Sequence, residues 1–462
     1  MNPTRIESDS MGSLEVPAKA LYGAQTQRAV NNFPISGKPM PQAFIRGLLL
    51  AKRAAACANG KLGLLPKNMS DAIVGSIDTL LEEDFMQHFP VDVFQTGSGT
   101  STNMNANEVI STLASRRYGD TVGANDHVNY GQSSNDVIPT SIHVSAALEI
   151  HHRLLPALKK LRDSATDKAN DVGHHVKTGR THLMDAMPIT FGQCLGGWSA
   201  QIDAHIEGLQ TLQPRIQQLA QGGTAVGTGI NADPKFAQSF VSELNENTSL
   251  NFTSAANFFS LIGSQDTAVA LSGQLKACAV SMMKIANDLR WMNSGPLSGL
   301  GEIELEPLQP GSSIMPGKVN PVIPEAAAMV AAQVIGNDTT IAVAGQSGNF
   351  ELNVMLPLVA SNLLESIELL SNVSHLLADK AILSFSVRED NIKAALSRNP
   401  ILVTALNPII GYAKAAEIAK LAYRNNQEII EVAAEHTSLS REELQKLLDP
   451  ATLTSGGVSA SG

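Results

Sequence analysis

One glycine- and proline-rich segment of the sequence brings together side chains that could perform acid–base chemistry. Ser312 and Ser313 are followed at short distance by Lys318 and Asn320. A cation and an amide donor beside two hydroxyl groups suit the stabilisation of an enolate-like oxyanion. Taken singly, a serine in such a loop is more often a turn residue and a lysine a solvated charge. The prediction of acid–base chemistry therefore rests on the combination of these two serines with the lysine and the asparagine.

Three other polar segments mark breaks between predicted helices. They are residues 96–107 (TGSGTSTNMNAN), 131–136 (GQSSND) and 178–185 (TGRTHLMD), and a longer loop covers about 294–324. The first turn of a helix has unpaired N–H groups and the positive end of the helix dipole, so Ser, Thr and Asn at such junctions can bind carboxylates. Helix capping uses the same residue types. Together the segments predict a site for a small dianion.

The sequence does not indicate a nucleotide or metal site. The run from Gly311 to Lys318 has five residues between its glycines instead of four, and Val319 stands where a P-loop has Ser or Thr. The pairs His151–His152 and His174–His175 point in different directions on a helix, which favours solvated histidines over metal ligands. We therefore expect no cofactor and no metal.

Long stretches with apolar residues three or four positions apart predict the helices that hold these segments. They cover about 142–161 with a kink at Pro156, 188–219 with Pro188 in the first turn, 268–291 and 356–383. Strand-like alternation is short and scattered, and aromatic residues make up only 4% of the chain, which disfavours sheet. The predicted fold class is mostly α.

The composition restricts the classes of partner and the cellular compartment that we expect for this protein. Charged residues are 16% of the chain and hydrophobic residues 43%, so little ionic surface is available and subunit association is expected. A net charge of −10 without a Lys/Arg tract disfavours nucleic acid. No signal peptide and no run of 18 apolar residues occur, and three dispersed cysteines indicate a reducing compartment. We expect a cytoplasmic protein that binds small molecules and no membrane.

Several long motifs carry a resemblance to a known family. They are TGSGTSTNMNANEVI (96–110), GQSSNDVIPT (131–140), GRTHLMDAMPIT (179–190), GGTAVGTGIN (222–231), GSSIMPGKVNP (311–321) and LVTALNPIIGYAKAAEIAK (402–420). In this order they resemble the fumarase/aspartase superfamily and, within it, class II fumarate hydratase, over nearly the whole chain. The resemblance implies reversible, cofactor-free and iron-independent hydration of fumarate to L-malate, a reaction of the tricarboxylic acid cycle.

The resemblance also implies an architecture. An N-terminal lyase domain would cover 1–133, a central bundle of long helices 134–389, and a small C-terminal domain 390–462. Four chains would associate through their central bundles into a homotetramer. Sites in this family collect loops from three subunits, which agrees with the low fraction of charged residues.

Roles follow from the resemblance where residues match. Ser312 would take the C3 proton of malate, although the sequence does not decide whether Ser312 or Ser313 ionises. Lys318 would hold the aci-carboxylate together with Asn320, and His182 would act on the water or hydroxyl at C2, oriented by Glu325. The implied substrate-binding residues are Ser98, Gly99, Thr100, Ser133, Ser134, Asn135, Thr181, Ser313, Lys318, Val319 and Asn320.

One segment departs from the family pattern. Class II fumarate hydratases have HPND at a segment that contributes to a secondary dicarboxylate site, and this chain has Gly123-Ala124-Asn125-Asp126. Asn125 and Asp126 remain, but the imidazole and the proline are missing. His127 lies four positions after the missing imidazole and does not restore the pattern. We expect normal chemistry with a weak or absent second site.

Two other functions are open at this point. Aspartate ammonia-lyase shares the fold and the GSSIMP loop, but its motifs resemble TQLQDA and QSTND where this chain has THLMDA (181–186) and QSSND (132–136). His182 favours hydration, because a hydroxide leaving group needs protonation. The other alternative is a non-catalytic scaffold with the lyase fold, which the intact Ser312, His182, Lys318 and Glu325 oppose.

Overall fold

The computed structural model describes residues 3–457, and most of them are helical, which confirms the mostly α fold class. The α-helices in chain order are α1 (Ala24–Asn32), α2 (Gln42–Lys61), α3 (Lys67–Glu82), α4 (Thr100–Tyr118), α5 (Ser134–Glu149), α6 (Leu155–Val172), α7 (Phe191–Ile216), α8 (Phe236–Thr248), α9 (Phe258–Ile262), α10 (Asp266–Met292), α11 (Val322–Gly345), α12 (Leu356–Leu377), α13 (Glu389–Ser397), α14 (Asn407–Ile410), α15 (Tyr412–Asn425), α16 (Ile429–His436) and α17 (Arg441–Leu447).

The strands of the described range pair only in twos. They are β1 (Thr4–Asp9), β2 (Gly12–Pro17), β3 (Val176–Thr181), β4 (Met184–Thr190), β5 (Gln218–Leu219), β6 (Thr253–Ser254), β7 (Ile303–Glu304), β8 (Gly348–Asn349), β9 (Leu352–Asn353) and β10 (Ser386–Val387). β5 and β6 are parallel, while β1–β2, β3–β4, β7–β10 and β8–β9 are antiparallel. The β3–β4 hairpin carries a predicted site residue at its turn.

The chain divides into two compact units. Within the described range, the first unit comprises 3–156, 205–279 and 330–371, and the second unit comprises 157–204, 280–329 and 372–457. Each boundary falls inside one of the helices α6, α7, α10, α11 and α12. The division into three domains at residues 133 and 389 stays a prediction.

In the first unit, α2 packs against α3, α5 and α8. Every residue of α5 from 136 to 147 is buried, so this helix has no solvent-facing side over that stretch. Gly47 lets α2 approach α5 closely, because a Cβ there would lie 3.0 Å from the Cβ of Ser145. Such close packing fixes the position of the N-terminal turn of α5, which holds the 131–136 motif.

Buried His143 predicts an acid-sensitive fold. Burial on α5 lowers the pKa of His143 to about 4, and its Nδ1 lies 2.7 Å from the carbonyl oxygen of Gln218, so this nitrogen donates. A folded-state pKa below the unfolded value contributes stability above about pH 6.5 that is lost as the pH falls towards about 4, at ~1.4 kcal/mol per pH unit. Urea unfolding at neutral and acidic pH measures this loss.

The matched variant for this prediction is His143→Gln, which has no titrating ring at the same buried position. Its free energy of unfolding should decrease less steeply between pH 6.5 and pH 4 than that of the wild type. Equal slopes in the two proteins would mean that His143 does not contribute to the acid sensitivity.

In the second unit, the C-terminal helices have a hydrophobic cluster of their own. It spans residues 402–448, and its members Leu406, Ile418, Ala433 and Leu444 are fully buried. The cluster lies within the predicted C-terminal domain.

The periodicity predicts the long helices well but misplaces one proline. The pattern at 142–161 belongs to α5 and α6, which are joined by a π-helical turn at Ile150–Leu154. Pro156 follows that turn, and its missing N–H explains why the hydrogen bonding is irregular there. The prediction that Pro188 begins a helix is wrong, because Pro188 lies in β4 opposite Thr178 and α7 begins at Phe191.

Helix α11 has an unusually apolar and accessible surface. Among the described residues it is the one helix with the length and composition of a membrane span, and one third of its most apolar window is buried. A single such helix is weak support for a membrane protein, because helices from the cores of soluble proteins have the same length and composition. Met329 and Val343 on α11 are more than half exposed, which leaves apolar surface for another protein chain to cover.

Candidate active site

Ser312 lies in an irregular loop of the second unit that precedes α11. Its Oγ accepts the backbone N–H of Met315 at 3.0 Å and that of Ile314 at 3.3 Å. Backbone donors aimed at one oxygen stabilise negative charge on it. Within the described residues, no hydrogen bond to the Oγ of Ser313 is present. These local bonds are also those of a serine turn, so the turn alternative holds for Ser312, and the choice of Ser312 over Ser313 as the base stays a prediction.

Asn320 closes the same loop. Its Nδ2 donates to the carbonyl oxygen of Gly311 at 2.8 Å, and the N–H of Gly311 donates to the carbonyl oxygen of Lys318 at 2.9 Å. A Cβ at position 311 would lie 2.6 Å from that Lys318 oxygen, so glycine is required for this approach. One N–H of Asn320 is used in the closure, and the second is available to a ligand.

Four of the predicted residues line one cavity of about 630 Å³ in the second unit. They are Lys318, Val319, Asn320 and Glu325. A neighbouring cavity of about 410 Å³ is lined by Ser312 and shares Lys318 and Val319 with the first. Glu325 lies in the first turn of α11, where a carboxylate also interacts favourably with the helix dipole.

His182 stands at the turn of the β3–β4 hairpin. His182 and Leu183 have φ values of 55° and 60°, and Thr181 pairs with Met184 across them, which defines a type I′ turn. Leucine and histidine rarely adopt this left-handed conformation, so the surrounding hairpin must hold it. The His182 side chain is exposed, and no hydrogen bond joins it to Glu325 among the described residues. The pairing of His182 with Glu325 stays a prediction.

Buried Glu302 anchors the hairpin strand that leads to His182. Its Oε1 lies 2.8 Å from Nη2 of Arg180, and its Oε2 lies 2.7 Å from Nζ of Lys177 at an angle outside hydrogen-bond geometry. Between these two partners the strand register shifts at Gly179, where a Cβ would collide with the carbonyl oxygen of Met187. The ion pairs therefore hold both sides of an irregular position close to the turn.

In the first unit, Ser98, Gly99 and Thr100 form the N-terminal end of α4. Gly99 is the N-cap with a φ of 74°, and a Cβ there would lie 2.9 Å from Cγ2 of Ile138. Gly99 has no side chain to cap this end, and Oε1 of Gln95 accepts the N–H of Thr102 at 3.0 Å. The N–H groups of Thr100 and Ser101 are therefore the ones available to an anion. The Oγ of Ser98 and the Oγ1 of Thr100 lie 2.9 Å apart.

Ser133, Ser134 and Asn135 occupy the corresponding position on α5, and each has a local partner. Ser133 caps the helix, since its Oγ accepts the N–H of Asn135 at 3.2 Å. Ser134 Oγ accepts from Nδ2 of Asn103 at 3.0 Å, and Asn135 Nδ2 donates to the carbonyl oxygen of Ala225 at 2.8 Å. The capping alternative therefore holds for Ser133, and the other two side chains are held in defined orientations.

The segment around Asn125 and Asp126 is a single π-helical turn, Ala124–Val128, with both side chains exposed. His127 lies one turn after Gly123, and its Nδ1 accepts the Gly123 N–H at 2.8 Å. The His127 ring therefore lies beside Gly123, with one ring nitrogen already used in this hydrogen bond.

The structure also contains buried polar residues that the sequence interpretation missed. Within residues 3–457 no cluster of three or more His, Cys, Asp or Glu side chains is placed to hold a metal ion. Several ionisable side chains, among them Lys52, Asp136, Lys177 and Glu302, are buried beside the predicted site segments. The sequence signal for Lys52 is its place in an alanine- and leucine-rich helix, where a solvated lysine is not expected.

Comparisons with known proteins agree over nearly the whole chain. A family model described as "Lyase" matches residues 12–336, and one described as "Fumarase C C-terminus" matches residues 402–455. Fumarate hydratase class II 2 of Pseudomonas aeruginosa is 70% identical over 458 residues, covering 99% of this chain and 100% of the relative. Fumarate hydratase class II of Xylella fastidiosa is 59% identical, covering 99% of this chain and 97% of the relative.

A solved structure agrees as well. Recombinant class II fumarase from Schistosoma mansoni has a TM-score of 0.94 with this chain at 36% sequence identity, and the match covers 98% of this chain and 99% of the other.

Proposed function

The chain belongs to the class II fumarate hydratase family, and from that membership we propose how its residues carry out the reaction. Its function is the reversible hydration of fumarate to L-malate, which makes it a hydro-lyase. The aspartate ammonia-lyase alternative is not favoured, and an enzyme assignment removes the scaffold alternative. The observation that best supports this chemistry is the pair of backbone N–H groups that donate to the Ser312 Oγ.

We propose that Ser312 removes the C3 proton of malate as an alkoxide. A free serine is far too weak a base, and each unit by which its pKa falls requires ~1.4 kcal/mol of preferential stabilisation of the charged form. We assign this stabilisation to three groups of the same loop, which are the N–H groups of Ile314 and Met315 and the Lys318 ammonium.

Removal of the C3 proton places charge on the adjacent carboxylate, which becomes an aci-carboxylate. Lys318 supplies a positive charge and Asn320 its second N–H to this group. His182 protonates the departing C2 hydroxyl, or activates water in the hydration direction, with Glu325 as the orienting carboxylate. Ser and His act on opposite faces of the substrate, which gives anti addition.

The remaining residues bind the two substrate carboxylates. The N-terminal turns of α4 and α5 present hydroxyl, amide and N–H groups for this purpose. The binding set is Ser98, Gly99, Thr100, Ser133, Ser134, Asn135, Thr181, Ser313, Lys318, Val319 and Asn320.

We propose a cytoplasmic homotetramer whose sites are shared between subunits. The apolar side chains of α11 and of the two catalytic loops are exposed in a single chain, including Leu183, Met184 and Ile314. Burial of such surface drives association, and covering the loops would exclude water from the site. Sedimentation and light scattering should give four chains per particle, and a fully active monomer would contradict the proposal.

The activity is tested by following the ultraviolet absorbance of fumarate with purified protein. Malate as sole substrate should produce fumarate, and aspartate should not. Activity should persist after treatment with EDTA, because we propose that neither a metal nor another cofactor takes part. Turnover of aspartate alone would contradict the hydratase function, and loss of activity with the chelator would contradict the iron-independent mechanism.

We expect one class of dicarboxylate site per protomer. Replacement of the family's His-Pro by Gly123-Ala124 should weaken a second-site anion by the ~1.5–3 kcal/mol of a charge-assisted hydrogen bond. His127 does not fully compensate, since its Nδ1 already accepts the Gly123 N–H. Equilibrium binding of a non-reactive dicarboxylate measures the number of classes, and two classes of similar affinity would contradict this prediction. Gly123→His combined with Ala124→Pro should add the second class without an appreciable change in kcat.

A further inference from the structure

A buried lysine lies at the centre of an amide network in the first unit. The Nζ of Lys52 on α2 donates to Oδ1 of Asn129 at 2.8 Å and to Oε1 of Gln132 at 3.0 Å. The same Asn129 oxygen also accepts from Nδ2 of Asn103 and of Asn107, each at 3.2 Å. Lys52 is fully buried. An ammonium and two amide groups therefore converge on one oxygen of the segment that precedes α5.

This network reaches a substrate-binding residue through Asn103. Besides donating to Asn129, Asn103 Nδ2 donates to the Oγ of Ser134 at 3.0 Å. Asn129 also holds the backbone, since its Nδ2 donates to the carbonyl oxygen of Gln132 at 3.1 Å. Loss of the Lys52 ammonium would therefore change the position of the Ser134 hydroxyl, because Asn129 and Asn103 connect the two groups by hydrogen bonds.

A buried aspartate holds the other side of the same turn. The carboxylate of Asp136 accepts the N–H groups of Ser133 at 2.9 Å, Gly222 at 3.0 Å and Thr224 at 2.9 Å, and Nδ2 of Asn135 donates to the neighbouring carbonyl oxygen of Ala225 at 2.8 Å. Asp136 is fully buried. It thus fastens the 133–135 turn to the glycine-rich loop at 222–231.

Lys52 and Asp136 depend on each other electrostatically. Burial lowers the pKa of Lys52 to about 7 and raises the pKa of Asp136 to about 6, and each charge opposes the shift of the other. Removing one partner withdraws the charge that favours ionisation of the other, so the remaining group either stays charged at a cost in stability or becomes neutral and holds its hydrogen bonds less strongly.

We propose that Lys52 and Asp136 are positioning residues that hold Ser133, Ser134 and Asn135 in the geometry that binds a substrate carboxylate. The inference rests on the proposed function of these three residues. Because both side chains are fully buried, we assign neither Lys52 nor Asp136 a contact with the substrate. Their effect is therefore on binding more than on the proton transfers, which the loop of Ser312 and the hairpin of His182 perform.

The experiment compares Lys52→Met, Asp136→Asn and the double variant with the wild type. Each single variant should raise KM for fumarate and Kd for succinate about tenfold to a hundredfold, with kcat changed by no more than about threefold. Each should also unfold more readily, because one buried charge has lost its partner. The double variant should recover much of this stability and still bind weakly, because the anchors of the turn are missing.

Recovery of binding together with stability in the double variant would overturn the proposal, since the residues would then serve the fold alone. Unchanged KM in the single variants would also overturn it. If the single variants do not fold, Asn103→Ala provides the same test, because it removes the donor to Ser134 and leaves both buried charges in place. It should raise KM about tenfold, and an unchanged KM would refute the link.

Two further comparisons distinguish a failure of this proposal from a failure of the proposed function on which it rests. Ser70→Ala removes a buried hydrogen bond to the carbonyl oxygen of Ala56 on the α2–α3 contact, away from the turn, and should lower stability without changing KM. Wild-type protein that binds succinate but does not hydrate fumarate would refute the function and leave the positioning of the turn testable through Kd. Wild-type protein that does neither would overturn both.

Discussion

Replacing Ser312 with alanine should lower kcat by ~10²–10⁴, the typical contribution of a general base, while the folded protein persists. The Ser312 oxygen accepts two backbone N–H groups and belongs to the same loop as Lys318, so the variant removes the group that this loop stabilises. KM for malate should change much less, since the residues assigned to the carboxylates are intact. Steady-state kinetics in both directions, with the melting temperature recorded in parallel, measure the effect.

Ser313→Ala is the matched comparison, because it removes the neighbouring hydroxyl from the same loop. No N–H donor reaches that oxygen among the described residues. We expect Ser313→Ala to raise KM and to lower kcat by a smaller factor than Ser312→Ala. A larger loss of kcat in Ser313→Ala would assign the base to Ser313 instead.

The sequence predicts helices at about 142–161, 188–219, 268–291 and 356–383, but not the hairpin that holds His182. Periods of three and four residues determine which side of a helix is buried, and α10 and α12 begin within two residues of the predicted starts. The hairpin was missed because its turn contains His182 and Leu183 instead of the glycine or asparagine that normally marks a type I′ turn. The strand that leads to the turn is held by ion pairs of Lys177 and Arg180 to Glu302, which is distant in sequence.

The sequence likewise predicts some residues of the candidate site and not others. Ser312, Lys318 and Asn320 lie within nine residues of one another, so a motif can identify them. Lys52 and its partner Asn129 are 77 positions apart, and no local pattern relates them. Hydropathy indicates whether a residue is buried, but it does not indicate which distant group forms hydrogen bonds with a buried polar side chain. The hydrogen-bond network of Lys52 therefore becomes evident only in the folded structure, where α2 and α5 pack together.

Replacing His182 with asparagine should also lower kcat by ~10²–10⁴, because the group that transfers a proton at C2 is lost. Asparagine is the appropriate replacement, since His182 has a φ of 55° and asparagine adopts the left-handed region more readily than other non-glycine residues. The hairpin turn should therefore persist, whereas alanine would add backbone strain to the loss of the imidazole. Initial rates in both directions, with circular dichroism on the same samples, separate the loss of chemistry from a loss of structure.

Leu183→Asn is the control for the turn, because Leu183 has a φ of 60° at the next position and contributes no acid or base. It should keep most of the activity that His182→Asn loses. Ser312→Ala combined with His182→Asn should lose less than the product of the two single losses, because both groups serve one transition state. Strictly multiplicative losses would show that one of them acts only through folding or substrate binding, and the assignment of base and acid would have to change.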